Sequence, residues 1–288
     1  MKIINSPVEK VNFSNFELFI KRDDLLSSHF SGNKARKFHY FLAHDFPKIK
    51  KVVSFGSNQS NAMYSLSVLC QLKGWEFFYY TNHISSFLEQ NPVGNYLNAL
   101  QNGMQIIPFE TMPTQFDEEM LFISEGGAVI EAQFGIKQLA WEIEQFAVKN
   151  NLPELEVFLP SGTGTTAVFL QKNLSLKVLT CSCVGDDAYL KEQFKALIKE
   201  ESLHPTILNI GKKYHFGKLY EEFYSMYKKL KEETHTEFDL LYDPLGFMVL
   251  EHYLQHNPVK KVLYVHQGGV LGNVSMLQRY ARKSYYRI

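Results

Sequence analysis

The chain has 288 residues, of which 45% are hydrophobic and 14% aromatic, so it can bury one large core or two lobes. Its 30 basic and 30 acidic residues give a formal net charge of zero, which argues against nucleic acid or an anionic membrane as principal partner. We see no signal-peptide segment in residues 1–11 and no apolar run of the roughly 20 residues that a membrane helix needs. Three cysteines, an odd number, further favour a reduced, cytoplasmic protein.

Strand and helix patterns alternate along most of the chain. Strands are predicted at 51–55, 75–80, 104–108, 156–159, 177–184 and 262–266, and helices at 35–42, 62–72, 93–101, 133–149, 167–172, 187–201, 218–232 and 247–255. This alternation predicts an α/β fold with parallel-rich sheets flanked by helices. We expect a large domain formed by 1–47 and 148–288 and a smaller inserted domain at 48–147, with the ligand in the cleft between the two lobes.

Lys34 follows a Gly32-Asn33 turn at the start of a predicted helix. An amine presented at such a turn can bond covalently to an aldehyde, and partial burial would lower its pKa so that it can attack. A surface lysine in a basic cap with Arg36 and Lys37 is the simpler interpretation of this segment alone.

A loop rich in glycine and threonine, Gly162-Thr163-Gly164-Thr165-Thr166, lies between a predicted strand and a predicted helix. Its backbone N–H groups, hydroxyls and helix N-terminus suit a phosphate, although no lysine completes a Walker motif. A dinucleotide fingerprint remains open, because Ala167 completes G-x-G-x-x-A and Asp186 and Asp187 lie about 20 residues on. A tight strand–helix turn is the structural alternative.

Small polar residues also follow a predicted strand at Ser57-Asn58-Gln59-Ser60-Asn61, before a helix. One of them suffices to cap that helix, so the others can hold a substrate carboxylate or the oxygen of a pyridine ring. Glu125-Gly126-Gly127-Ala128 and His266-Gln267-Gly268-Gly269 likewise follow apolar strands. A reactive amine and a phosphate cradle are together the two anchors of pyridoxal phosphate.

Taken in order, these segments resemble the 1-aminocyclopropane-1-carboxylate deaminase and D-cysteine desulfhydrase family. Its members are pyridoxal-phosphate enzymes with the two-lobe fold of the tryptophan synthase β-subunit. The residues Lys21-Arg22-Asp23-Asp24-Leu25 and Gly32-Asn33-Lys34-x-Arg36-Lys37 resemble the family's K-R-E/D-D-L and G-N-K-x-R-K. The segments at 59–61, 125–128 and 266–269 resemble its Q-S-N, E-G-G-A/S and H-x-G-G.

The resemblance implies a role for each site residue. Lys34 carries the cofactor and is a base for the Cα proton, and residues 162–166 hold the phosphate. Asn61 contacts the ring oxygen, while Gln59 and Ser60 hold the substrate carboxylate. The implied reaction converts a small amino acid into a keto acid and ammonia, by D-cysteine-like β-elimination or by 1-aminocyclopropane-1-carboxylate-like ring opening. Homodimers are usual in the family, and no metal is expected.

One segment departs from the family pattern. The family has D-P-V-Y-[TE]-G-K, in which the tyrosine faces the substrate and the next residue meets the pyridine nitrogen. This chain has Tyr242-Asp243-Pro244-Leu245-Gly246, so the pair is predicted to be deleted, which favours β-elimination over ring opening. Gln267 is the predicted substitute at the ring nitrogen. A non-catalytic pyridoxal-phosphate binder and a nicotinamide-dependent oxidoreductase remain as alternatives.

Overall fold

A computed structural model describes residues 3, 5–27, 29–30 and 32–283 of the chain. Strands of this part are β1 (Val8–Phe13), β2 (Phe16–Lys21), β3 (Lys51–Phe55), β4 (Glu76–Thr81), β5 (Met104–Pro108), β6 (Met120–Ile123), β7 (Glu156–Ser161), β8 (Val178–Ser182), β9 (Thr206–Ile207) and β10 (Val262–Val265). They form a six-stranded sheet in the order β1-β2-β10-β7-β8-β9 and a four-stranded sheet in the order β5-β4-β3-β6.

Helices surround both sheets. They are α1 (Gly32–Ala43), α2 (Asn61–Lys73), α3 (Ser86–Gln90), α4 (Gly94–Gln101), α5 (Ala132–Lys149), α6 (Thr165–Asn173), α7 (Asp187–Leu197), α8 (Glu221–Thr234), α9 (Asp243–His256) and α10 (Asn273–Arg282). Short 3-10 helices occur at Asp23–Leu25, Phe109–Thr111, Glu125–Gly127, Glu201–Leu203 and Val270–Gly272.

Parallel pairing positions the loops singled out by the sequence on one edge of each sheet. Only β1 and β2 pair antiparallel among the described strands, and the other neighbours run parallel. The carboxyl ends of parallel strands meet at the same edge, where open α/β sheets bind ligands. The segments singled out by the sequence follow β3, β6, β7 and β10 at these ends. The predicted fold class, parallel-rich sheets flanked by helices, is therefore confirmed.

Most predicted elements are present, with shifts of a few residues at their ends. The helix predicted at 187–201 ends at Leu197, and the one predicted at 247–255 begins at Asp243. The β1–β2 hairpin, strand β6 and helix α10 lie outside the predicted elements. The hairpin turns at Ser14-Asn15, both with positive φ, which is the backbone geometry of a tight two-residue turn.

The division into domains stays a prediction. All four strands of the smaller sheet lie inside 48–147, as that division requires. Helix α5 lies mostly inside the same range, yet Ile136, Leu139 and Ile143 pack in one core cluster with Val157 of the larger sheet.

All three cysteines are buried, and the sulfur atoms of Cys181 and Cys183 lie 4.0 Å apart on and just after β8. Within the described ranges, the helices fall short of the length and apolar character that crossing a bilayer requires.

A buried group of charges joins α1 to two other parts of the fold. Arg36 is fully buried and donates to both carboxylate oxygens of Asp23 (2.8 and 3.1 Å) and to both of Glu142 on α5 (2.7 and 2.8 Å). Lys21 reaches the same Glu142 carboxylate at 2.8 Å. Burial raises the pKa of Glu142, but hydrogen bonds and charges of Arg36 and Lys21 outweigh it and hold that pKa below its usual value. The group explains why K-R-D-D and N-K-x-R-K occur together.

We predict that Glu142→Gln lowers the free energy of unfolding by about 3–5 kcal/mol, because two buried cations then share one carboxylate. Urea unfolding monitored by circular dichroism measures this loss. Glu118→Gln is the control, since the Glu118–Lys48 pair is exposed and is worth less than about 1 kcal/mol.

The stability difference between the wild-type protein and Glu142→Gln should depend on pH. The pKa of Glu142 is lower in the folded than in the unfolded protein, so its carboxylate stabilises the fold at pH values above the unfolded pKa. This stabilisation is lost as the pH falls through the folded pKa, so the deficit of Glu142→Gln should shrink below about pH 4. Equal losses for both variants at pH 7 would contradict this assignment.

Candidate active site

The loops after β3, β6, β7 and β10 enclose a cavity of about 340 Å³, within the range of small-molecule sites. Every site residue predicted from the sequence lines it: Lys34, Gln59, Ser60, Asn61, Gly162, Thr163, Gly164, Thr165, Thr166 and Gln267. The fold therefore brings together segments that lie up to 233 positions apart in the chain (267 − 34). Their roles stay predictions.

The amine of Lys34 is enclosed by protein at the start of α1. Its Nζ donates to Asn33 Oδ1 at 3.1 Å, and Asn33 in turn donates to Gln267 Oε1 at 2.9 Å. Burial lowers the pKa of Lys34 to about 8, with a smaller opposing effect from the nearby Asp239 carboxyl. A larger fraction of this amine is therefore neutral and nucleophilic at pH 7 than for an ordinary lysine.

Glycine is required where the Lys34 turn meets the loop after β10. A Cβ atom on Gly32 would lie 1.7 Å from the backbone oxygen of Gln267, and the φ of Gly32 is +63°. The same oxygen accepts a hydrogen bond from Asn33 N at 3.1 Å. The two motifs are thus in direct backbone contact.

The loop between β7 and α6 has the features of an anion site. Helix α6 begins at Thr165 after Gly164, without a side-chain cap on its first N–H groups. Thr163 and Thr165 share a hydroxyl hydrogen bond of 2.9 Å, while the buried Thr166 Oγ1 has no partner in the described part of the chain. Free N–H groups, the helix dipole and an unsatisfied hydroxyl together fit a phosphate group.

Lys37, which the sequence suggested to be a surface residue, is buried beside this loop. Lys37 Nζ donates to the backbone oxygen of Gly126 at 3.0 Å, and burial, with a smaller effect of Lys34, holds its pKa well below the usual value. A Cβ on Gly126 would lie 2.8 Å from Thr163 Cγ2, so the loop after β6 touches the phosphate-type loop. Lys37 therefore lines the cavity beside Lys34.

Residues at the start of α2 present donors to the cavity. Ser60 Oγ caps the helix by accepting from Ala62 N (3.1 Å) and Met63 N (3.4 Å), and its side chain also hydrogen-bonds with Tyr79. Asn61 Oδ1 accepts from Asn95 Nδ2 at 2.6 Å, and its Nδ2 has no acceptor among the residues described. Such a free amide donor suits an oxygen acceptor such as a ring oxygen or carboxylate.

Tyr242 lines the cavity, so a tyrosine is present there although the tyrosine of the family motif is predicted to be deleted. Asp239-Leu240-Leu241-Tyr242-Asp243 has the spacing of D-P-V-Y-[TE] without any gap, so the motif begins at Asp239 and not at Asp243. Tyr242 is the residue before α9, and its ring packs 5.1 Å from the ring of Phe216. Burial raises the pKa of Tyr242, and the nearby charge of Asp239 raises it further, so the Tyr242 hydroxyl is protonated at neutral pH.

Asp239 also lines the cavity, and sequence reasoning missed it. Its Oδ1 accepts from Leu241 N and Tyr242 N, both at 2.6 Å, and burial raises its pKa to about 6. Asp243 is turned away, with Oδ1 accepting from Tyr264 Oη and Oδ2 from Asp239 N. The carboxyl group in the cavity wall is therefore that of Asp239, four residues before Asp243.

Three other sequence candidates have their polar atoms engaged in hydrogen bonds within the protein. Gln267 donates from Nε2 to Pro160 O at 2.6 Å and accepts from Asn33, so both ends of its amide are used. Asp186 caps α7 by accepting from Tyr189 N, and Asp187 accepts from Ser182 Oγ and Asn209 Nδ2. Neither aspartate is among the residues that line the cavity.

Comparison with known proteins supports the fold at low sequence identity. No protein-family model matches the chain. A crystal structure of an ACC deaminase homologue superimposes with a TM-score of 0.79 at 19% identity, covering 97% of this chain and 94% of that one. The chain has the fold of this deaminase homologue.

Two further solved structures share this fold. A hydrogen sulfide-producing enzyme from Fusobacterium nucleatum matches with a TM-score of 0.67 at 13% identity, covering 94% of this chain and 97% of that one. An L-serine ammonia-lyase from the fungus Rhizomucor miehei gives a TM-score of 0.64 at 12% identity, with 98% and 99% coverage. The likeness spans nearly the whole of each protein, so the predicted two-lobe fold is confirmed.

We predict that Lys34 reacts with aldehydes at lower pH than an ordinary lysine, because only the neutral amine attacks. Labelling of the cofactor-free protein with a simple aldehyde and borohydride should rise with pH to half its maximum near pH 8 at this residue. Peptide mass spectrometry measures the labelled fraction. A midpoint near 10.4, the value of a free lysine side chain, would contradict the burial of this amine.

We also predict that Gly32→Ala lowers the free energy of unfolding by more than about 3 kcal/mol, from backbone strain and overlap with the Gln267 carbonyl. Gly74→Ala is the matched control, since its φ is +71° but a Cβ there meets no atom within 4 Å. The free energy of unfolding of Gly74→Ala should fall only by the cost of backbone strain, about 1–2 kcal/mol. Similar losses in thermal unfolding would show that the close approach is unimportant.

Proposed function

We propose that this protein is a pyridoxal-phosphate-dependent lyase or deaminase that converts a small amino acid into a keto acid and ammonia. One juxtaposition carries the proposal: an enclosed amine with a pKa of about 8 shares a cavity with an open helix N-terminus and an unsatisfied threonine hydroxyl. These are the two anchors that the cofactor requires. The family resemblance of the motifs and the shared fold support it.

Each residue has a role that its contacts support. Lys34 supplies the covalent anchor, residues 162–166 hold the phosphate, and Asn61 Nδ2 donates to the ring oxygen. Because both ends of the Gln267 amide are occupied, we assign the ring nitrogen to Asp239, the buried carboxyl of the cavity wall. The bound cofactor withdraws electrons from the substrate Cα, which makes its proton removable.

Proton transfer then falls to the protein. The amine of Lys34 can accept the Cα proton once the substrate amine has replaced it, and Gln59 and Ser60 orient the carboxylate. The Tyr242 hydroxyl, protonated at neutral pH, is a second donor facing the same space. Its presence removes the sequence argument that favoured β-elimination over ring opening, so both reactions are retained.

Two competing functions make different predictions. A nicotinamide-dependent oxidoreductase would bind dinucleotide through Gly162, Gly164 and Asp186 and would be indifferent to Lys34. A non-catalytic binder would hold the cofactor but leave D- and L-amino acids unchanged. Assays of ammonia release with D-cysteine, D-serine and 1-aminocyclopropane-1-carboxylate separate them. Cytoplasmic location and a homodimer stay predictions.

We expect borohydride to attach the cofactor to Lys34 and to no other residue, in protein incubated with pyridoxal phosphate. Lys34→Ala should abolish both this label and the visible absorption of the bound cofactor, with unchanged far-ultraviolet circular dichroism. Lys37→Gln is the matched variant: it removes the neighbouring buried amine, whose Nζ is bonded to Gly126 O, and should leave the label at position 34. A label on Lys37, or none, would overturn the assignment.

A further inference from the structure

Arg279 is a cavity residue whose positive charge has no carboxylate partner among the described residues. It lies on α10 and lines the cavity together with Met276, one turn earlier. Its guanidinium donates to the backbone oxygen of Gly217 at 2.7 Å and to Met276 Sδ at 3.1 Å, a weak acceptor. No carboxylate lies within 4.0 Å of it in residues 3, 5–27, 29–30 and 32–283.

Two other arginines of the described fold are paired with carboxylates. Arg36 has two buried carboxylates, and Arg22 binds Asp24 and Glu9. Partial burial without such a partner lowers the pKa of Arg279 and costs solvation energy. A guanidinium has five N–H donors and binds carboxylates or phosphates in a two-pronged geometry, so an anion arriving in the cavity would satisfy it.

A series of contacts leads from the phosphate-type loop to Arg279. It begins at Gly162, where a Cβ would lie 3.4 Å from the Tyr242 hydroxyl, and continues through the Tyr242–Phe216 ring contact to Gly217. Arg279 is thus two contacts beyond Tyr242, whereas the open N–H groups and the free Thr166 hydroxyl lie at the start of α6. The donors proposed for the cofactor phosphate are thus present at the start of α6 without this guanidinium.

Arg279 also lies far along helix α10 from Asn61, which is next to the proposed carboxylate residues Gln59 and Ser60. A Cβ on Gly272, just before α10, would lie 3.6 Å from Asn61 Oδ1. From Asn273 to Arg279 the helix rises about 9 Å. Between these points the wall is apolar, formed by Leu241 and the buried Met276. Donors at one end, an apolar stretch and an unpaired cation at the other describe a site for a molecule with two anionic ends.

We infer that the preferred amino acid carries a second oxyanion on its side chain, beyond a short apolar stem, and that Arg279 binds it. The inference rests on the proposed function and specifies its substrate class. Charge-assisted hydrogen bonds of this kind correspond to a preference of about 10- to 100-fold over a neutral side chain of the same shape.

The test compares S-carboxymethylcysteine with S-ethylcysteine, in both enantiomers, on cofactor-loaded protein. These probes share the S–CH2–C stem, and the first carries a terminal carboxylate where the second ends in a methyl group. Calorimetry gives each dissociation constant, and ammonia release gives kcat and KM where turnover occurs. We expect one enantiomer of the carboxymethyl compound to bind about 10- to 100-fold tighter than its ethyl counterpart.

Arg279→Gln should abolish this preference while changing binding of the ethyl compound by no more than about twofold, and Arg279→Lys should restore part of it. Arg282→Gln is the control, because Arg282 is on the same helix but stacks on Phe87 at 3.6 Å and is not a cavity residue. It should retain the full preference.

Three results would overturn the inference: equal binding of both probes, no binding of the carboxymethyl compound, or an equal loss for both probes in Arg279→Gln. Weaker cofactor binding in Arg279→Gln, measured by titration of its absorption, would instead assign the guanidinium to the phosphate and also overturn it. Borohydride labelling of Lys34 in the same samples distinguishes these outcomes from failure of the proposed function.

Discussion

A buried cation fixes the position of the reactive lysine. Arg36 lies two residues after Lys34 on α1 and bonds to Asp23, which follows β2, and to Glu142 on α5. Breaking such a network leaves an uncompensated charge in the protein interior, which solvates it poorly. Moving the start of α1 away from Asp23 and Glu142 would therefore cost a large amount of free energy. The two N-terminal motifs are therefore linked by a structural requirement, and the amine of Lys34 gains a defined place in the cavity from it.

Close backbone contact between loops complements this electrostatic constraint. The turn before Lys34 touches the loop after β10 through Gly32, and the loop after β6 touches the phosphate-type loop through Gly126. Four segments far apart in sequence thereby form one continuous wall. Pre-arranged donors of this kind bind and orient a ligand without first losing conformational entropy, as the proposed proton transfer would require.

The segment at 239–243 shows how burial resolves an ambiguous pattern. Two aspartates four residues apart can each be matched to the first position of the family motif, and Asp243-Pro244 is the more obvious match by letters. In the folded chain Asp243 is held by Tyr264 and by the backbone of residue 239, while Asp239 and Tyr242 line the cavity. The direction of each side chain at the start of α9 decides which match is physically meaningful.

Local patterns in the sequence determined most strands and helices after residue 50, because hydrophobic periodicity and loop signals report burial within one segment. They also singled out Lys34 and the loop at 162–166 as candidates, since glycines, hydroxyls and a helix start are local features. They did not reveal that Lys37 is buried, that Tyr242 lines the cavity or that Arg279 has no carboxylate partner among the described residues. Those facts depend on which distant segments pack around each side chain, and only the tertiary structure decides that, because burial and charge pairing are properties of neighbours that are remote in the chain.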